Sequence, residues 1–111
     1  MADFRLKLGE LEKLRTNYPD KIPVFVSKVP NANSNTPDIR KHKFLVPSHF
    51  TMGGFMAIIR KWIQLPPEMG LFFYVDRFNP SPSSLLIELY EKHKGPDEVL
   101  RVQYACENTF G

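Results

Sequence analysis

Between Asp3 and Asn17, apolar residues recur at threes and fours: Phe4, Leu8, Leu11 and Leu14 fall on one stripe with Arg, Lys and Glu between them. The spacing predicts a helix, with Asp3 as its N-cap and Tyr18-Pro19-Asp20 as its stop. Ile22 to Val29 is β-branched and aromatic and reads as a strand. Pro23 makes that strand irregular, or unpaired on one side at that point. An Asn/Ser/Pro loop follows, from Pro30 to Pro37. Lys43 to Val46 is a second short strand, stopped by Pro47, and the two strands suggest a hairpin. Thr51 caps a helix running to about Gln64, whose apolar stripe is Met52, Phe55, Ile59 and Ile63. Leu65-Pro66-Pro67-Glu68 is a stop and a turn. Leu71 to Val75 is almost continuously apolar, the mark of a central buried strand. After a turn region, Asn79 to Ser84, Leu85 to His93 reads as a short helix. Val99 to Tyr104 reads as a last strand, buried beside the central one. The closing residues, Glu107 to Gly111, are polar and have no reason to pack.

The order of elements predicts an α+β roll: a mixed sheet with a helix across one face. The expected boundaries are an N-terminal helical extension over 1–20, a domain over 21–106 and a flexible tail over 107–111. At 111 residues, 42% hydrophobic and 13% aromatic, the chain has material for one packed core. The net charge of +3 is too mild to argue for nucleic acid, but fits acidic peptides or an anionic membrane surface. A single cysteine excludes an internal disulfide and points to the cytosol. The first residues lack an apolar signal core, and no apolar run approaches the roughly 20 residues that span a bilayer. Residence on a membrane would therefore require an attached group.

No catalytic constellation emerges, so an enzyme is not expected, and no cofactor is implied. Cys106 has no nearby histidine motif and reads as a passive thiol. His42, His49 and His93 lack metal-ligand spacing, and Glu107 has no partner carboxylate. Gly53-Gly54 opens a helix and is not a phosphate-binding loop.

Several segments carry a resemblance. KFLVPSHFTMGGFMAIIRKWIQLPPE (Lys43 to Glu68), YPDKIPVFVSK (Tyr18 to Lys28), LFFYV (Leu71 to Val75), LYEKHK (Leu89 to Lys94) and the ending YACENTFG resemble the autophagy ubiquitin-like modifiers. That family includes the GABA-receptor-associated protein, microtubule-associated protein light chain 3 and the yeast modifier. The match is colinear from Phe4 to Gly111. It implies a ubiquitin-like β-grasp with an N-terminal helical extension. It further implies that a processing cysteine protease exposes Gly111 where it is masked, and that an activating enzyme and a conjugating enzyme join it to the amine of phosphatidylethanolamine. The protein would be cytoplasmic, and on the autophagosome membrane when lipidated. There it would recruit cargo receptors and support autophagosome growth. Glycine suits this chemistry because no side chain blocks a narrow enzyme channel.

The resemblance also implies a docking surface for acidic peptides of the form aromatic-x-x-aliphatic, which add a strand to the sheet edge. The aromatic pocket would be lined by Leu14, Pro23, Phe25, Leu45 and Val99, with Glu10 and Lys43 at its rim. The aliphatic pocket would be lined by Phe44, Val46, Pro47, Phe50, Phe55 and Ile58. Lys43 to Val46 would be the edge strand, and Lys21, Arg40, Lys41 and Lys43 would supply charge. The chain departs from the family in a short N-terminus, in Trp62 where a basic residue is usual, and in Val99 where phenylalanine is usual. A peptide-binding adaptor of the same fold that is never conjugated is the alternative.

Overall fold

The computed structural model describes residues 20–30, 32, 36–65 and 68–108. The expected N-terminal helix, and with it Glu10 and Leu14, lies outside the described residues, as does Gly111. Four strands and two helices are described: β1 (Lys21–Lys28), β2 (Lys43–Pro47), α1 (Met52–Ile63), β3 (Met69–Tyr74), α2 (Leu86–His93) and β4 (Leu100–Asn108).

The strands form one sheet in the order β2-β1-β4-β3. β1 pairs with β2 antiparallel, as the expected hairpin requires, through Ile22↔Val46, Pro23↔Leu45, Val24↔Phe44 and Phe25↔Lys43. Its other neighbour is β4, in parallel, from Val24↔Leu100 to Lys28↔Tyr104. The centre of the sheet is therefore the β1–β4 pair. β1 accordingly carries an unbroken buried run from Ile22 to Ser27.

Two expectations need correction. Leu71 to Val75 was expected at the centre, but β3 pairs only with β4 and lies at an edge of the described sheet. Leu71 and Phe73 are buried, whereas Phe72 and Tyr74 are half-buried. A continuous apolar run therefore arises here without full burial on both faces. The tail was expected to begin after Cys106, yet β4 continues to Asn108, because β3 supplies partners through Gly70↔Glu107 and Met69↔Asn108.

α1 begins where Thr51, in an extended conformation, accepts the Gly54 N–H on its hydroxyl at 3.1 Å. It ends at Gln64, which adopts a left-handed conformation (φ 50°) and returns its N–H to the Arg60 and Lys61 carbonyls. Arg60 and Lys61 place positive charge at the negative end of the helix dipole. Its buried residues are Met52, Phe55, Ile59 and Ile63, the stripe the sequence predicts. Phe55 stands at the centre of an aromatic chain through the core, 5.8 Å from the Phe44 ring and 6.5 Å from Phe73. Gly53 sits at a close approach: its N–H meets the Pro82 carbonyl at 2.8 Å, and an added Cβ would sit 3.2 Å from that oxygen, so the Pro82 turn would have to give by a few tenths of an ångström. The arrangement is the α+β roll expected, with α1 across one face.

Candidate functional site

Pro23 explains how the β2 edge is organised. Antiparallel neighbours alternate between pairs that exchange hydrogen bonds and pairs that do not. The Val26 N–H donates to the His42 carbonyl at 2.8 Å, and the Ser48 N–H donates to the Asp20 carbonyl at 2.8 Å. Counting by twos between them, Val24↔Phe44 and Ile22↔Val46 are the bonded pairs, and Pro23↔Leu45 is a non-bonded one. Proline therefore sits where β2 asks for no donor, and pairing with β4 starts only at Val24. The same register turns the Leu45 N–H and C=O away from β1, toward the outer edge of the sheet.

Side chains divide across the two faces. On β2, Lys43 and Leu45 are exposed, while Phe44 and Val46 are buried. Pro23 and Phe25 stand beside Leu45 and Lys43 on the face away from α1. On that face Phe25 and Val99 form a small apolar cluster separate from the main core. The Phe25 ring is also stacked on His42 at 5.5 Å, and the His42 Nδ1–H donates to the Val26 carbonyl at 2.7 Å. Beyond Val99 a groove of about 640 Å³ continues past Asp97, Arg101, Asp76 and His93. Arg101 grips the Asp97 carboxylate with two hydrogen bonds of 3.0 and 2.8 Å, which holds that carboxyl below its usual range. His93 pairs with Asp76 at 2.6 Å.

The aliphatic set lies on the opposite face. Phe44, Val46 and Phe55 belong to the main core, and Phe55 has no exposed surface. Pro47, Phe50 and Ile58 are half-buried and supply the accessible part of the set. Thus Pro23, Phe25, Lys43, Leu45 and Val99 gather on one side of β2, and Phe44, Val46, Pro47, Phe50, Phe55 and Ile58 on the other. Lys21, Arg40, Lys41 and Lys43 are all exposed around this edge.

One neighbour of the aliphatic set escaped the sequence. Trp62 is 46% exposed, with its ring 6.1 Å from Phe44 and nearly perpendicular to it. The Lys41 ammonium lies over both rings, 5.0 Å from the Phe44 centroid and 5.4 Å from that of Trp62. Nothing in local spacing signals this, because Lys41 and Trp62 come from a loop and a helix that meet only in the fold.

Remaining candidate groups are structural. Burial pushes the Cys106 thiol above its usual pKa, and its backbone N–H bonds the Thr36 hydroxyl at 3.3 Å. The Tyr104 hydroxyl donates to the Pro37 carbonyl at 2.7 Å. Arg60 donates to the Met69 carbonyl at 2.8 Å, tying α1 to the start of β3. Among the described residues, no cluster of His, Cys, Asp or Glu is arranged to hold a metal.

Residues 6–111 match the family described as "Autophagy protein Atg8 ubiquitin like". The chain is 44% identical to Autophagy-related protein 8 of Mycosarcoma maydis over 108 residues, covering 97% of this chain and 90% of that one. It is 42% identical to Autophagy-related protein 8 of Schizosaccharomyces pombe, covering 97% and 88%. The solved structure of Trypanosoma brucei ATG8 superposes with a TM-score of 0.82 at 35% identity, covering 93% of this chain and 87% of that one. Sheet, crossing helix and sequence agree: the chain belongs to the Atg8 family of ubiquitin-like autophagy proteins.

Proposed function

We propose that this protein is a modifier attached through the Gly111 carboxylate to phosphatidylethanolamine, and that its β2 edge then recruits acidic aromatic-x-x-aliphatic peptides of cargo receptors. The carboxylate is first adenylated, with ATP giving up pyrophosphate. An activating enzyme's cysteine thiolate displaces AMP to form a thioester, which passes to a conjugating enzyme. The lipid amine attacks that thioester, an amide forms, and the enzyme thiol leaves. The protein is thus a substrate of other proteins' cysteines rather than an enzyme. Two acyl chains, each burying methylenes at about 0.8 kcal/mol apiece, anchor the product stably on the autophagosome membrane.

The observation that carries the docking half is the edge strand with an apolar surface on each face. In an extended peptide, side chains alternate sides, so positions i and i+3 point in opposite directions. A peptide strand bonded to the Leu45 N–H and C=O would therefore place its aromatic anchor on the Phe25–Val99 side. Its aliphatic anchor would fall on the Phe44–Phe50 side. The two intervening residues are what an edge with pockets on opposite faces requires. Exposed Lys43 complements acidic flanking residues.

Reconstitution tests the conjugation half: the chain is mixed with Atg8 activating and conjugating enzymes, ATP and phosphatidylethanolamine liposomes. A lipid adduct is expected by mass spectrometry for the native chain and none for Gly111→Ala. Absence of any adduct, or an equal adduct from the variant, would refute it. Peptide binding that persists without an adduct would leave the adaptor role alone.

A further inference from the structure

Four contacts bring distant segments to one pole of the molecule. Asn108, the last residue of β4, pairs with Met69, whose carbonyl is held by Arg60 at 2.8 Å near the C-terminal end of α1. The Cys106 N–H bonds Thr36 and the Tyr104 hydroxyl bonds Pro37, so the loop leading into β2 lies over the same end of β4. The chain therefore leaves the domain beside the C-terminal turn of α1 and the 36–42 loop. Gly111 follows Asn108 by three residues, a reach of about 10 Å at roughly 3.3–3.6 Å per extended residue.

A distinctive surface occupies that pole. Trp62 is the largest exposed apolar side chain among the described residues. It borders a groove of about 470 Å³ together with Asp38, Arg40, Lys61, Ile63 and Gln64. Arg40, Lys41 and Lys61 are exposed around it. Lys28 neutralises Asp38 at 2.7 Å, which leaves the groove positive on balance, although the exposed Glu68 lies nearby in sequence. An indole ringed by lysine and arginine is the chemistry of a membrane interface. The ring inserts at the headgroup level, while the cations remain in water against anionic phosphates.

We infer that this pole, with Trp62 at its centre and Arg40, Lys41 and Lys61 around it, is a second membrane contact that seats the attached protein on an anionic bilayer. The inference rests on the proposed lipid attachment and deepens it, since β4, which leads toward Gly111, ends beside the contact. It also fixes an orientation. The bilayer meets the end of the sheet, and the Lys43–Val46 edge runs away from it, open to peptides.

The test exploits the fact that Trp62 is the single tryptophan of the chain. Full-length protein is titrated with phosphatidylcholine vesicles containing phosphatidylserine, and tryptophan emission is followed. In a parallel arm a C-terminal hexahistidine tag tethers the protein to nickel-chelating lipid. That arm reads the contact whether or not Gly111 is ever conjugated, so failure here and failure of the conjugation experiment are distinguishable. The expected result is a blue shift and quenching by brominated lipid with phosphatidylserine vesicles, reversed by salt and absent with phosphatidylcholine alone. Arg40→Ala and Lys61→Ala should each weaken partitioning about fivefold, and the pair about twenty-five-fold. Trp62→Ala, read by vesicle sedimentation, should weaken it further while lowering the thermal midpoint by only a few degrees, for the lost contact with Phe44. Emission unmoved by anionic vesicles in both arms would overturn the inference. So would a response confined to a soluble acidic peptide lacking both anchors, which would assign the pole to a protein partner.

Discussion

Leu45→Pro separates the two duties of the β2 strand. Proline removes the Leu45 N–H, which faces outward, and leaves the β1–β2 bonds of Phe44 and Val46 in place. Phe44 precedes it in a strand, the conformation that a residue before proline prefers. Folding should therefore cost about 1 kcal/mol or less, a few degrees in the thermal midpoint. Binding should suffer more. One peptide hydrogen bond is worth about 0.5–1.5 kcal/mol net, and trimming leucine, which is 37% exposed and available to a ligand, removes roughly another 1 kcal/mol. Together these predict a loss of roughly 10- to 70-fold in affinity for an acidic aromatic-x-x-aliphatic peptide. Titration calorimetry measures it, with Leu45→Ala separating the side-chain share from that of the N–H. Val46→Pro is the counter-case: its N–H belongs to the bonded pair with Ile22, so it should cost about 3 kcal/mol of stability. An unchanged Kd in Leu45→Pro would refute strand addition. An unfolded Leu45→Pro would refute the register itself.

Two further outcomes follow from the buried groups. Tyr104 is fully buried, and desolvation raises its hydroxyl pKa to about 12. The folded state thus disfavours the phenolate: this stability is complete below the unfolded value near 10 and is lost as pH rises toward 12. Wild-type stability should fall by about 1.4 kcal/mol per pH unit across that window relative to Tyr104→Phe, in paired denaturant titrations. Equal pH dependence would contradict it. Cys106 has no exposed surface and a raised thiol pKa, so a disulfide exchange reagent at pH 8 should label it slowly in the native protein and rapidly in denaturant. Fast native labelling would show that the β3–β4 end opens readily.

Local chemistry made the helices legible. Thr51 and the stripe Met52, Phe55, Ile59 and Ile63 define α1 without reference to the rest of the chain. Strand positions within the sheet were less legible. The Leu71–Val75 run advertises burial more strongly than β1 does, yet it lies at an edge, because strand order depends on which segments pair across long separations. Pro23 correctly announced a position with no donor to give, but only the register shows that its partner is Leu45. The two lining sets came from resemblance, and their division across opposite faces of β2 follows from period-two alternation once the edge is known. The Trp62–Lys41–Phe44 stack was invisible because it joins a loop to a helix end.

The parallel β1–β4 pair has a consequence for how the chain is made. Its two strands are the first and last of the described elements, with every other element between them. Emerging from a ribosome, β1 can pair with β2 early, but its other side stays bare until β4 arrives. Until then β1 and β3 both present open ladders, the kind of edge that recruits foreign strands. The sheet is therefore closed by its final strand, and a nascent or truncated chain lacking β4 leaves β1 and β3 open to foreign strands.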